Sequence, residues 1–201
     1  MTDKPWDQRL AAIVVRPLAA TPVHPNHLTA LSLALGLGAA ILFAQGDPRA
    51  ADWAALLFMV AVFGDHTDGE LARLTAKTSR FGHYFDYLAG AANYTMLFIG
   101  IGFGLSGGAP DSWAFVLGLA AGLSNPIIVT LRLTMEIKRG PATIRHPSFA
   151  GFEIEDFIYL IGPITWAGGL KVFFLAYGLG TLGYLLWTVA LFLRGPGGSR
   201  G

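Results

Sequence analysis

The chain has 201 residues, of which 53% are hydrophobic and only 13% charged, against about 25% charged in an ordinary soluble domain. That balance excludes a water-soluble globular enzyme, a disordered chain and a coiled coil, while a net charge of +1 excludes a nucleic-acid binder with a broad basic face. Cysteine is absent, which removes disulfides, thiolate zinc sites and cysteine nucleophiles. What remains is an all-α integral membrane protein whose residues 1–201 form one domain.

In chain order, residues 1–22 read as an interfacial segment rather than a signal peptide. Over 5–18, Trp6, Leu10, Ile13 and Val14 fall on one side of a helix and Arg9 and Arg16 reach toward headgroups. Six apolar stretches of membrane-span character follow. They lie near Leu28–Gln45, Trp53–Phe63 (continuing into polar sequence), Tyr84–Leu105, Ser112–Leu133, Phe157–Gly168 (extended backwards through a charged turn) and Val172–Leu193. Glycine and proline pairs separate them, and Gly195–Gly201 reads as a flexible tail. Gly100/Gly104 and Gly118/Gly122 have the small-xxx-small spacing of close helix packing. Asn125-Pro126 predicts a bend in the fourth span beside a cavity.

Lys and Arg set the orientation. Lys4, Arg9 and Arg16, then Arg73, Lys77 and Arg80, then Arg132, Lys138, Arg139 and Arg145, and finally Arg194 and Arg200 fall on one side, leaving Arg49 and Lys171 on the other. Both termini and the connections after the second and fourth spans are therefore expected to face the cytoplasm.

The chemistry concentrates where the second span turns polar. Asp65 and Asp68 are three residues apart, on one helix face, and Gly69 and Ala72 lie on the same stripe. On the next helix, Gly82, Asp86 and Gly90 are four apart on one face. Three carboxylates from two antiparallel helices then converge at the cytoplasmic end, beside backbone that carries almost no side chain. Hard oxygen ligands without cysteine favour Mg²⁺ or Mn²⁺ over zinc, and magnesium binds through a few carboxylates plus substrate phosphates. A phosphate-bearing substrate at the membrane surface follows. Helix-end charges pairing with Arg73, Lys77 and Arg80 would not need this spacing.

The segment from Asp65 to Asp86 resembles the signature of the CDP-alcohol phosphatidyltransferase family, D-x-x-D-G-x-x-A-R-x8-G-x3-D-x3-D, through Asp65, Asp68, Gly69, Ala72, Arg73, Gly82 and Asp86. The six spans, the surface helix and the His24-Pro25-Asn26-His27-Leu28-Thr29 approach to the first span resemble that family too. The resemblance implies transfer of a phosphoalcohol group from CDP-diacylglycerol or another CDP-linked donor to an alcohol acceptor, with release of CMP, by a homodimer among membrane lipids. It implies that Asp65, Asp68 and Asp86 hold one or two divalent cations against the donor diphosphate. Gly69, Ala72 and Gly82 would let the cytidine approach, and Arg73, Ser79, Asn26 and Thr29 would make further donor contacts.

The signature's last aspartate, which the family is thought to use as the base, is Gly90 here. Three explanations stand side by side. His83, one turn before Asp86, or the Glu153, Glu155 and Asp156 cluster replaces the base. A changed acceptor needs none. Or the protein binds nucleotide or lipid without efficient turnover. Around the connection after the fourth span, Arg132, Lys138 and Arg139 would suit a phosphorylated acceptor, or serve only as positive-inside anchors.

Overall fold

The computed structural model describes residues 6–140, 148–149 and 152–194, with side-chain surroundings for 9–140 and 157–194. Arg145, the tail 195–201 and the side chains of Trp6, Glu153, Glu155 and Asp156 lie outside the described residues. Among the described residues, seven α-helices make the body: α1 (Trp6–Val15), α2 (Pro25–Ala44), α3 (Pro48–Thr75), α4 (Arg80–Ser106), α5 (Trp113–Arg139), α6 (Ile161–Trp166) and α7 (Leu170–Arg194). Short 3-10 turns cover Pro17–Ala20 and Ile154–Leu160. A two-residue antiparallel pairing joins Ser148 to Glu153 and Phe149 to Phe152.

The starts of α2, α3 and α4 have local reasons. Pro25 and Pro48 occupy first turns, where a missing N–H costs nothing. His24 accepts from the Asn26 amide while its own amide donates to His27 Nδ1, both at 3.3 Å, closing a reciprocal cap on α2. Asp47 accepts from the Ala50 amide at 2.8 Å to cap α3, and Ser79 accepts from the Gly82 amide at 2.9 Å to cap α4. α1 stops before Pro17, so the predicted surface helix is shorter than 5–18.

Among the described residues, four helices, α2, α4, α5 and α7, are long and apolar enough to cross a membrane. The second predicted span lies in α3, whose 28 residues extend about 42 Å; its apolar half leads into the charged stretch Asp65–Arg73. The fifth predicted span is a shorter piece: the apolar helical run covers Phe157–Trp166, about half the length a span needs, and Gly168 then turns the chain at φ +78°.

α2, α3 and α4 pack together, α5 covers α4, α7 lies against α5, and α6 sits between α3 and α7. α1 rests on α3 through buried Ala11 and Val15, leaving Leu10, Ile13 and Val14 exposed. The buried stripe of α3, Ala51, Ala54, Ala55, Phe58 and Val62, follows the helical repeat and belongs to one apolar cluster with Leu97, Phe98 and Ile101 of α4 and Phe173 and Phe174 of α7. Outward faces carry Leu31 and Ile41, Trp53 and Val60, Val116 and Leu123, and Leu179 and Leu186. Large apolar residues thus stand on the outside as well as in the core, which a water-soluble bundle avoids and which suits helices solvated by lipid.

The internal polar atoms lie at helix crossings. Asn93 of α4 presses against Gly36 of α2, and its Nδ2 donates to the Ser32 carbonyl at 3.3 Å. Ser32 Oγ in turn presses against Gly64 of α3. In α5, Pro126 cannot donate to the Gly122 carbonyl. Thr95 Oγ1 from α4 supplies that bond at 3.0 Å, joined by Asn125 Nδ2 at 3.3 Å. Both glycine pairs act as close-contact points: Gly100 and Gly104 meet the backbone of Ala40 and Phe43, and Gly118 and Gly122 meet that of Phe98 and Thr95.

Gly102 tests this packing. A Cβ there would lie 2.7 Å from the Ala114 carbonyl and 3.0 Å from Gly118 Cα. Gly102→Ala is expected to separate α4 from α5 and cost about 1–3 kcal/mol, read as a lower midpoint of thermal unfolding in detergent. Gly183→Ala, with nothing within 4 Å, is expected to leave that midpoint unchanged or raise it.

Candidate metal centre and its cavity

Asp65 and Asp68, one turn apart on α3, and Asp86, in the second turn of α4, come together as the spacing predicts. One carboxylate oxygen from each lies within 4.8 Å of the other two. Asp68 is buried, at 4% exposure, and Asp65 and Asp86 are half-buried. The buried hydroxyl of Thr29, in the second turn of α2, donates to Asp68 Oδ2. That bond fixes the innermost carboxylate and ties the start of α2 to α3. Like charges at such separations repel by roughly 3–4 kcal/mol per pair at an effective dielectric of about 20. A divalent cation turns the same proximity into attraction. Three hard oxygen donors fit Mg²⁺ or Mn²⁺.

Small residues lie on one side of the aspartates. A Cβ on Gly82 would stand 3.0 Å from Asn26 Oδ1, so the absence of a side chain lets α2 and α4 close in. Gly69 is different: a Cβ there would meet only the Arg73 guanidinium, at 3.7 Å. Ala72 lies one turn farther along α3, half-buried. Arg73 bonds buried Glu70 at 3.0 Å and is 58% exposed, so its guanidinium stands at the rim over Gly69. Ser79 is exposed and caps α4.

A cavity of about 740 Å³ adjoins Asp65 and Asp86, and Gly69, Ala72 and Gly82 are not part of its lining. Asp65, His66, Asp86, Tyr87, Asn125 and Arg132 form its polar wall, and Gly90 lines it with nothing within 4 Å of where a Cβ would stand. The rest of its wall is largely apolar and comes mostly from α7, with Ile164 of α6, Phe157 and Leu160 of the preceding 3-10 turn, and residues of α3, α4 and α5.

The three predicted basic residues separate. Arg132 is buried at 9% exposure, lines the cavity and stands over the Tyr184 ring at 5.7 Å. Lys138 is exposed and outside the lining. Arg139 donates to the carbonyls of Leu191 and Phe192 at 3.2 and 2.8 Å, closing the C-terminal end of α7. His83 also lies outside the lining. It is 46% exposed, its Nε2 is 3.7 Å from Glu136 Oε2, and its ring meets that of Tyr87 at 5.0 Å.

Sequence reasoning missed Tyr87, whose hydroxyl donates to Glu136 at 2.8 Å, and His66, whose Nδ1 is 3.5 Å from the Tyr159 hydroxyl. Each sits one position from a signature aspartate, about 100° around the helix, so spacing gave no reason to group them with it. Tyr184 comes from α7, and only tertiary packing brings it here.

Comparison with known proteins bears on the family and the fold. The family described as CDP-alcohol phosphatidyltransferase matches residues 22–193. A CDP-diacylglycerol–glycerol-3-phosphate 3-phosphatidyltransferase of Cereibacter sphaeroides is 44% identical over 69 residues, 34% of this chain and 31% of that protein. The aligned stretch thus spans about a third of the relative's length. Crystal structures of a phosphatidylinositol phosphate synthase of Mycobacterium tuberculosis superpose with a TM-score of 0.72. The one with CDP-DAG bound is 18% identical, covering 96% of this chain and 98% of that one. The one with manganese and citrate is 17% identical, covering 95% and 92%. At those identities the likeness carries the fold. On the match over residues 22–193, the chain belongs to the CDP-alcohol phosphatidyltransferase family.

Proposed function

We propose that the protein transfers a phosphoalcohol group, a phosphatidyl group in the leading case, from a CDP-linked donor to an alcohol, releasing CMP in phospholipid synthesis. The observation that carries this reading is the convergence of Asp65, Asp68 and Asp86 between the small-residue face and the cavity. The chain would make six passes, counting α3 and the short segment Phe157–Trp166. α1 would lie in the interface on Leu10, Ile13 and Val14. The termini and the site would face the cytoplasm, where the Lys and Arg excess lies.

Asp65, Asp68 and Asp86 would hold Mg²⁺ or Mn²⁺, which when bound neutralises the diphosphate and eases departure of CMP. Thr29 would keep Asp68 aimed at that place. Gly69, Ala72 and Gly82 would leave room for the nucleotide, with Asn26, Arg73 and Ser79 around it. The alcohol would approach from the cavity, opposite the departing CMP. Arg132 would be the cationic contact on that side. Lys138 and Arg139 would need to move to join it, and Arg139 would give up two hydrogen bonds. As a replacement base, His83 would have to turn from Glu136 toward Asp86.

A second reading rests on Gly90, whose open position on the cavity wall holds no carboxylate. The protein would bind the donor and turn over slowly, since a general base typically contributes 10²–10⁴-fold.

CMP release from CDP-diacylglycerol with Mg²⁺ or Mn²⁺ and a panel of alcohols, with Asp65→Asn as the blank, separates the two. The leading reading expects release that needs metal, acceptor and Asp65; release no greater than the blank contradicts it. Gly90→Asp is expected to fold, to bind CDP no more weakly and to turn over at least as fast. Gly69→Ala is expected to raise thermal stability by about 0.5–1 kcal/mol, because alanine favours helix, yet to weaken CDP binding at least about tenfold by titration calorimetry. Thr29→Val is expected to weaken Mn²⁺ binding about 10–100-fold by electron paramagnetic resonance, as losing a ligand's supporting hydrogen bond does.

A further inference from the structure

The cavity is larger and greasier than a small polyol needs. At about 740 Å³ it falls within the range of sites for drug-sized ligands. Its carboxylates and guanidinium, on Asp65, Asp86 and Arg132, mark a polar end, and Asn93, Tyr94, Tyr177 and Thr181 add uncharged polar atoms elsewhere on the lining. From Tyr184 its wall follows α7 through Thr181, Gly180, Tyr177, Ala176 and Phe173 to Val172, twelve residues or about 18 Å along the helix. Leu160, Ile164 and Val62 close the apolar part. Phe157, Leu160 and Val172 line the cavity and are also 59%, 44% and 71% exposed, so the apolar end reaches the outer face of the bundle.

The charge at the polar end is unsuited to a free phosphorylated acceptor. Among the described residues, Arg132 is the one Lys or Arg on the lining, and it shares that lining with Asp65 and Asp86. Lys138 is outside, and Arg139 binds carbonyls of α7. Position 90 adds room where a side chain would otherwise stand.

We infer that the alcohol accepted at this site carries an aliphatic body, which lies along α7 between Tyr184 and Val172 while its hydroxyl lies beside Asp86 and Gly90. The inference rests on the transfer reading above. Asn26, Thr29, Gly69, Arg73 and Gly82 are absent from the lining while Asp65 and Asp86 are on it, so the cavity and the small-residue face are separate surfaces that meet at the aspartates. An in-line displacement brings the attacking oxygen in opposite the leaving group. The acceptor oxygen bonds to phosphorus, the phosphorus–oxygen bond to CMP breaks with its electron pair leaving on CMP, and the hydroxyl proton passes to solvent. An amphiphile reaches that position laterally from the bilayer through the opening at Phe157, Leu160 and Val172.

The test compares 1-O-octylglycerol with glycerol and glycerol 3-phosphate, using the full chain in phosphatidylcholine nanodiscs with Mn²⁺ and CDP-diacylglycerol. CMP release is expected to favour octylglycerol at least about tenfold in kcat/KM, because a buried chain adds apolar contact that the others lack. Gly180→Leu fills the middle of the cavity, where no atom lies within 4 Å of a Cβ. It is expected to abolish that preference while the donor KM stays within twofold, and Gly180→Ala to reduce it partly. Preference for glycerol 3-phosphate overturns the inference, as does a Gly180→Leu variant that raises donor KM and keeps the acceptor preference, which would assign the cavity to the donor's chains. A second readout needs no turnover: octylglycerol with a diazirine at its chain end is expected to label residues 172–180, with competition from unlabelled octylglycerol but not from glycerol 3-phosphate. Labelling without CMP release from any acceptor would sink the transfer reading and leave the cavity assignment standing. Absence of labelling overturns the assignment.

Discussion

Three carboxylates with oxygens inside 4.8 Å of one another are a constraint that the surrounding helices must answer. In an apolar bundle they cannot disperse into water, and Asp68 is almost wholly buried. The answer is partly a hydroxyl, Thr29 on Asp68, and partly the placement of three helix segments. α2 enters through its reciprocal histidine cap, α3 runs on beyond its apolar half, and α4 starts at Ser79, so that these turns meet at one end of the bundle. The remaining repulsion is what a divalent cation would remove, linking the fold to the chemistry proposed for it.

The helices hold this arrangement through close crossings rather than bulk. Ser32 on Gly64 lies directly beside Asp65, and Asn93 on Gly36 and Thr95 on the Gly122 carbonyl follow farther along α4. Each pairs a polar side chain with a glycine, where backbone lies open to it. In lipid, polar contact and close packing do much of the work that apolar burial does in water. The two surfaces that meet at the aspartates are unlike in consequence. One is tight and lined by Gly69, Ala72 and Gly82. The other opens at Gly90 into a cavity that α6 and α7 complete. A reaction that needs a nucleotide held on one side and an alcohol admitted on the other suits that asymmetry.

Much of this was legible in the sequence because helical spacing is arithmetic. Positions 65, 68 and 86 converge as the repeat requires, and Gly100, Gly104, Gly118 and Gly122 mark crossings that the helices make. What escaped depends on tertiary contact. The run after residue 153 reads as a span by composition, yet its apolar helix is short. Arg139 reads as a phosphate ligand by charge, yet the end of α7 offers it carbonyls first. Tyr184 and His66 carry no spacing signal, and the cavity they line is made by the packing of α3, α4 and α5 with α6 and α7.

The measurement that bears most directly on the account is anomalous diffraction at the manganese edge from crystals grown with Mn²⁺ and CDP. The account predicts a peak within about 2–2.5 Å of oxygens from Asp65, Asp68 and Asp86, the range of hard-cation ligation, with CDP phosphate oxygens completing its shell. A peak elsewhere, or CDP bound without metal at these three residues, would contradict it.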